Sequence, residues 1–358
     1  MFVRLFCLLA CLTAPLVSAE DRILNTEMCG TYFFIKVVLD RDDGRSEEDR
    51  TLRMLYDTGA SSNYVDQQAL ERASGTRVDI GRTARIRDAD AGDIHFNFIR
   101  ARVQDFSHLT TSLGYPLDGI VAHDVFEDFT IVLDYQAETI TLTQVDLPRP
   151  NGEWIFNTRR GDDRPWLDMH FNGRRQRVLV DSGSGTTLAI NRLDRYDTMT
   201  EPVNTGYAAR FDQMEPRRAA RLDGNVTFGG ITFNRPMLTE TPSNQLFGGA
   251  LMSQFRVSYD PSEERIMFEP YEDGPITTPP YRSIGVALAP QESLLEVVAR
   301  LTDAAPDLIE GDLITHIDGA SVGTHGCRPR TDTSPREITR LRDGVSETLT
   351  VPIIDLVP

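Results

Sequence analysis

Two aspartates stand in this chain where a pair of carboxyls can do chemistry that one cannot. The first closes the run Met54-Leu55-Tyr56-Asp57 and leads into Thr58-Gly59-Ala60-Ser61; the second closes Val178-Leu179-Val180-Asp181 and leads into Ser182-Gly183-Ser184-Gly185. They lie 124 positions apart, 181 minus 57. Two carboxyls facing each other in a shielded site cannot both ionise, so they share a proton. One then draws a proton from a water held between them while the other protonates the oxygen of a carbonyl under attack. Asp57 and Asp181 are the candidate catalytic residues. Thr58, Gly59, Ser61, Ser182, Gly183 and Ser184 are the candidate loop supports, because glycine permits a tight turn and a Thr or Ser hydroxyl can lock it.

The elements that must carry these loops repeat as well. Leu117-Asp118-Gly119-Ile120-Val121-Ala122 follows the first aspartate and Gln245-Leu246-Phe247-Gly248-Gly249-Ala250 the second. Each runs into an expected strand pair, 129–134 with 139–142 and 255–260 with 265–268. Asp134 and Asp260 are 126 apart, 260 minus 134, so the two halves form an internal repeat. Residues 30–39 read as a strand, and an acidic turn over 40–50 leads to the first aspartate strand. Helical spacing is expected over 64–73, from Tyr64, Val65, Ala69, Leu70 and Ala73. Short alternating stretches, with Ile86 and then Ile94, Phe96 and Phe98, flank a polar turn at 88–93. In the second half, 166–171 and the strand into Asp181 join at the hairpin signal Asn172-Gly173, and strands are expected at 226–228 and 231–233. Residues 148–153 read as a linker.

Asp57-Thr58-Gly59-Ala60-Ser61 resembles the active-site motif of the aspartic proteases, and its Ala60 matches the retropepsin-like branch. The 117–122 and 245–250 segments resemble the apolar-apolar-glycine segment that crosses behind the catalytic loop in that family; Ala122 departs from it. The resemblance implies a mainly β, bilobal acid-protease fold of two retropepsin-like lobes, with a hairpin between 77 and 103 folding over substrate as a flap. It also implies an extended peptide or protein substrate with apolar side chains at the scissile bond, and no cofactor. Gly185 stands where the first motif has Ser61, which is expected to loosen the second loop. Ser184 aligns with Ala60, and in pepsin-like relatives a hydroxyl there bonds the carboxylate. This asymmetry is expected to favour the ionised form at Asp181 and to leave the shared proton on Asp57.

Residues 1–19 read as a secretory signal peptide, from Arg4, the apolar run 5–17 and the small-residue site Val17-Ser18-Ala19. Lipoprotein anchoring through Cys11 is the alternative. The expectation is an exported protein, periplasmic or secreted, with no transmembrane segment after signal removal. A net charge of -17 argues against nucleic acid and anionic membranes. Lys36 is the only lysine, and the arginines read as scattered among acids. Cys29 and Cys327 remain beyond the signal region, either as a disulfide or as two thiols. The six histidines show no metal-ligand spacing. His123 reads as a satisfied turn residue, and Asn225-Val226-Thr227 as a glycosylation sequon.

Beyond Gly274, Pro275, Pro279 and Pro280 the texture changes. Ser283-Ile284-Gly285-Val286, the run 294–301 and Gly311-Asp312-Leu313-Ile314-Thr315-His316-Ile317-Asp318-Gly319 resemble a PDZ domain, a small α/β unit. Ser283, Ile284, Gly285 and Val286 match its carboxylate-binding loop, where a peptide ligand adds as a strand. The expected domains are 20–148 and 149–272 for the two lobes and 273–358 for the PDZ-like unit. Two motifs in one chain favour a monomer over an obligate dimer, since intramolecular pairing costs less entropy. Two other functions stay open. One is a peptide-binding protein that kept the cleft without catalysis. The other is a PDZ-linked serine protease, from the echo of a nucleophile loop in Asp181-Ser182-Gly183.

Overall fold

The structure, a computed structural model, describes residues 21–41, 43–158, 164–209, 214–303, 307–327 and 332–358. The expected signal segment and Cys11 lie outside them. The chain is mainly β. No helix among the described residues is long and apolar enough to cross a membrane.

The aspartate strands turn apolar and buried as they approach the carboxyls, over 54–56 and 178–180, because both faces are covered there. Thr51–Asp57 runs parallel to Gly119–Ala122, with Asp57 opposite Ala122, and Tyr64–Asp66 pairs antiparallel on the other side of Gly119–Ala122. Arg174–Asp181 treats Leu246–Gly248 the same way, with Asp181 opposite Gly248, and Leu188–Ile190 flanks that strand in turn. The repeat in sequence is thus a repeat in topology. The two halves meet in a six-stranded sheet, where Thr130–Asp134 pairs antiparallel with Phe255–Asp260. One continuous hydrophobic core runs through both halves, from Phe33 and Tyr56 to Phe247 and Phe268.

The helix expected from residue 64 begins at Gln67. Tyr64, Val65 and Asp66 are instead a strand paired with Arg102, Val103 and Gln104. Asp66 caps the helix Gln67–Ser74 by accepting from the Ala69 N–H (2.9 Å), and Gly75 ends it at φ 66. Local spacing could not reveal this, because Val65 is held by a partner strand far along the chain.

Residues 83–104 form one long hairpin, Thr83–Ala91 with Ile94–Gln104, and the expected polar turn narrows to Gly92 and Asp93. Its tip is pinned to the six-stranded sheet: the Asp93 N–H donates to the Ile23 carbonyl (3.1 Å), and the Ile23 N–H to Asp93 Oδ2 (3.0 Å). This hairpin is therefore not a flap; it adds no described residue to the cleft between the aspartates. The hairpin that reaches the cleft belongs to the second half, Val203–Ala209 with Met214–Arg221.

The C-terminal unit has its own small core around Val297, Leu308, Ile314 and Ile338. Its six-stranded sheet orders as Val286–Gln291, Leu294–Arg300, Leu313–Ile317, Arg336–Arg342 and Val345–Val351, with the short strand Ala320–Ser321 pairing off that path with Leu313–Ile317. The α/β character expected here is corrected: among its described residues there is no helix, and 294–300 is a strand. Asp312 is buried and held by Arg340 and Arg342, which gives the Gly311-Asp312 turn a structural role. The cysteines form a disulfide, Cys29–Cys327, tying this unit to the first half.

Candidate active site

The two loops grip each other. The Thr58 N–H donates to Ser182 Oγ (3.0 Å) and the Ser182 N–H to Thr58 Oγ1 (3.0 Å). Each hydroxyl then donates onward, Thr58 Oγ1 to the Val180 carbonyl (2.7 Å) and Ser182 Oγ to the Tyr56 carbonyl (2.8 Å). Both residues are buried, so each of these bonds satisfies a group that would otherwise be orphaned.

The glycines explain themselves by the same symmetry. A Cβ on Gly59 would stand 2.6 Å from Asp181 Cγ, and one on Gly183 would stand 2.6 Å from Asp57 Oδ1. Each glycine is the floor on which the opposite carboxyl rests. The side chains of Asp57 and Asp181 are hydrogen-bonded to each other, and Asp57 Oδ1 also accepts from the Gly59 N–H (2.8 Å). Asp57 keeps an edge open to the cleft, yet the packing around it is dense enough for desolvation to dominate. Burial lifts its pKa above the ordinary aspartate value, against the pull of Asp181, the Gly59 and Ala60 N–H groups and the charge of Arg164.

Three expectations are corrected. Ser61 is exposed at the cleft and supplies none of the bracing bonds among the described residues. Ser184 turns its hydroxyl to Thr186 Oγ1 (3.0 Å) rather than to the Asp181 carboxyl, so the expected cause of an asymmetry between the two aspartates is absent. Gly185 does not loosen its loop. The hydroxyl end of the Tyr32 ring packs onto it from the first half, with Cζ 3.0 Å from where a Cβ would be, so a larger residue there would have to displace the tyrosine.

Ala122 is accommodated by a local exchange of partner. Its N–H donates to the side-chain Oδ1 of Asn63 (2.8 Å), whereas the corresponding Gly248 N–H donates to the backbone carbonyl of Thr187 (2.8 Å). A Cβ on Gly248 would meet Thr186 Oγ1 at 2.6 Å, so the glycine is needed in the second half only. His123 is buried and set edge-on to Tyr259, with ring centroids 5.6 Å apart.

Sequence spacing did not indicate Arg164. Its Nη1 donates to the Gly59 carbonyl (3.0 Å), and its guanidinium lies 5.5 Å over the Trp166 ring. Trp166, two positions on, was the available signal, because a guanidinium is attracted to the face of an indole ring.

The carboxyls open into a cleft of about 710 Å³ with unlike walls. Tyr32, Leu55, Tyr64, Leu109, Leu113 and Ile120 make the first-half side apolar. Glu215, Arg217, Thr239, Ser243 and Asn244 make much of the second-half side polar. Neither a family model nor a curated protein matches this chain. What the site can do follows from its geometry, two neighbouring carboxyls on two mutually locked loops, both lining the cleft.

The loop 283–286 lies elsewhere. The Gly285 N–H is taken by Ser283 Oγ (3.0 Å), and the following strand Val286–Gln291 packs against Val203–Ala209 and the helix Ser107–Leu113, elements that contribute to the two cleft walls. Ala287 meets Gly206 on the second-half hairpin, and the Glu292 carbonyl accepts from Thr111 Oγ1 (3.5 Å) on the helix Ser107–Leu113. The C-terminus does not enter this loop: Ile354–Val357 pairs with Tyr281–Ser283, and the Pro358 carbonyl accepts from Arg221 Nε.

Proposed function

We propose that the chain is an exported aspartic endopeptidase on a bilobal acid-protease scaffold, with lobes at 20–148 and 149–272 and a PDZ-like unit at 273–358. Asp57 and Asp181 hold a water between them. The ionised carboxyl takes its proton as the oxygen attacks the peptide carbonyl, and the protonated carboxyl donates to the developing oxyanion. Collapse of the tetrahedral intermediate expels the amine, which leaves with a proton from the pair. Thr58, Gly59, Ser182 and Gly183 keep the two carboxyls in register.

The observation that carries this reading is the reciprocal seating of each carboxyl on the other loop's glycine. A general carboxylate pair on strand ends has no need of such symmetry. The serine-nucleophile alternative is disfavoured because Ser182 is 0% exposed and its hydroxyl is committed to the Tyr56 carbonyl. The packing of Val286–Gln291 against elements of both cleft walls supports a bridging use of the PDZ-like unit over free capture of peptide tails.

The test is cleavage of an unstructured protein from acid to neutral pH by the mature enzyme, Asp57→Asn and Asp181→Asn, with and without a statine-type inhibitor. Loss of activity in both variants is expected. Full activity in either would overturn the shared-pair mechanism.

A further inference from the structure

Arginines that read as scattered in sequence are gathered by the hairpin 83–104. Its register sets Arg85 opposite Arg100, Thr83 opposite Arg102 and Arg87 opposite Phe98. Residues directly opposed in an antiparallel pair point to the same side. Ala84, Ile86, Ile99 and Ala101 take the buried side, so Arg85, Arg87, Arg100 and Arg102 all emerge on the exposed one. Arg85 lies 5.6 Å over the ring of Phe98, which is itself 48% exposed.

This arrangement has a cost that no ion pair among the described residues offsets. Like charges directly opposed across strands destabilise a sheet. A chain of net charge -17 has carboxylates to spare, yet among the described residues none of these four guanidiniums is paired with one. The face is also continuous with the cleft. Arg102 stands in parallel register with Tyr64, and Tyr64 lines the cleft wall. Registered residues of parallel strands share a side, so the cationic face starts at the cleft and runs outward from Arg102 to Phe98. At about 3.3 Å per residue those four steps span roughly 13 Å, the length of about four residues of extended peptide.

We propose that this face is an exosite for an acidic segment of a polypeptide substrate, adjoining the residues bound in the cleft. The inference rests on the peptidase reading above. The fork of each guanidinium suits carboxylates, and the acidic remainder of the surface repels such a segment from other places, which focuses it here.

The test uses two peptides with one cleavable core, one carrying a short tail of Asp and Glu and the other the same tail in Asn and Gln, with each tail placed at either end. The acidic tail is expected to lower KM roughly tenfold in one of the two placements, as a few partly exposed ion pairs would give, and salt should erase the advantage. Arg85→Gln with Arg100→Gln should remove the preference, and Arg100→Glu should reverse part of it. Equal KM for both tails in the parent enzyme, or a preference that survives these substitutions, would overturn the exosite. Fluorescence anisotropy with the Asp57→Asn protein separates the two readings. Arginine-dependent binding of the acidic peptide with no cleavage by the parent would leave the exosite standing and sink the peptidase. Binding of this face to anionic phospholipid vesicles, with no preference between peptides, would reassign it to a membrane surface.

Discussion

Asp57 and Gly183 occupy one place between them: a Cβ on Gly183 would stand 2.6 Å from Asp57 Oδ1, closer than any real contact allows. Gly59 and Asp181 repeat the relationship across the pair. Gly183→Ala should therefore push the Asp57 carboxyl away from Asp181. A displacement of about 1 Å is enough to cost on the order of 100-fold in turnover, and the strain should remove about 1–3 kcal/mol of stability. Steady-state kinetics together with thermal unfolding measures both. Near-parental turnover would mean that the loops tolerate a wider separation.

The interlock at Thr58 and Ser182 should behave as a unit. Thr58→Val removes the acceptor of the Ser182 N–H and the donor to Val180, leaving buried groups unsatisfied at about 1–3 kcal/mol each. Ser182→Ala does the same to the Thr58 N–H and the Tyr56 carbonyl. Denaturant unfolding of the double variant should depart from the sum of the two single losses by about 0.5–3 kcal/mol, because the two residues belong to one hydrogen-bond network.

Asp57 is more readily protonated in the folded chain than in the unfolded one, chiefly through burial. Its folded form keeps a proton that the unfolded chain releases above the ordinary value of 3.8. The stability tied to this group is complete below that value and is lost as pH rises through the folded pKa. Asp57→Asn cannot ionise, so it should be the more stable protein near neutrality, with the gap closing under acid conditions. Melting temperatures across pH test this, although the pair titrates together and the midpoint belongs to both carboxyls.

Arg164 opposes that burial, and its charge favours the ionised form of Asp57. Arg164→Gln should move the upper limb of the pH–rate profile to higher pH. Arg164→Lys should restore most of that limb, since the charge returns even where the bond to the Gly59 carbonyl is weakened. An unmoved limb in Arg164→Gln would assign the residue to holding the loop alone.

Cys29–Cys327 fastens the C-terminal unit where its edge strand touches both cleft walls. Replacing both cysteines with Ser should cost about 2–4 kcal/mol. Hydrogen exchange should rise together in Val286–Gln291 and Val203–Ala209, because those strands pack on each other. Faster exchange in the first strand alone would show that the unit does not support the hairpin.

Several features were legible locally. The two aspartate loops stood out because a catalytic pair needs the same short motif twice, and the duplicated topology was written in the matching offsets of Asp134 and Asp260. Residues 64–66 were not legible, since a strand partner 38 positions on, 102 minus 64, overrides their helical spacing. The C-terminal unit misled in the same way, as Leu294–Arg300 takes its strand form from Val286–Gln291 and Leu313–Ile317.

The sequence by itself determined the paired aspartate motifs, the repeat that brings them together and the β character of the chain, because motifs and alternation are local in cause. Only the tertiary structure decided which hairpin reaches the cleft, that Tyr32 packs on Gly185, that Arg164 is bonded to the loop of Asp57, and that Arg85 and Arg100 share a face. Each of these depends on strand register between distant segments, and a shift of one residue in that register would turn every such side chain to the opposite side.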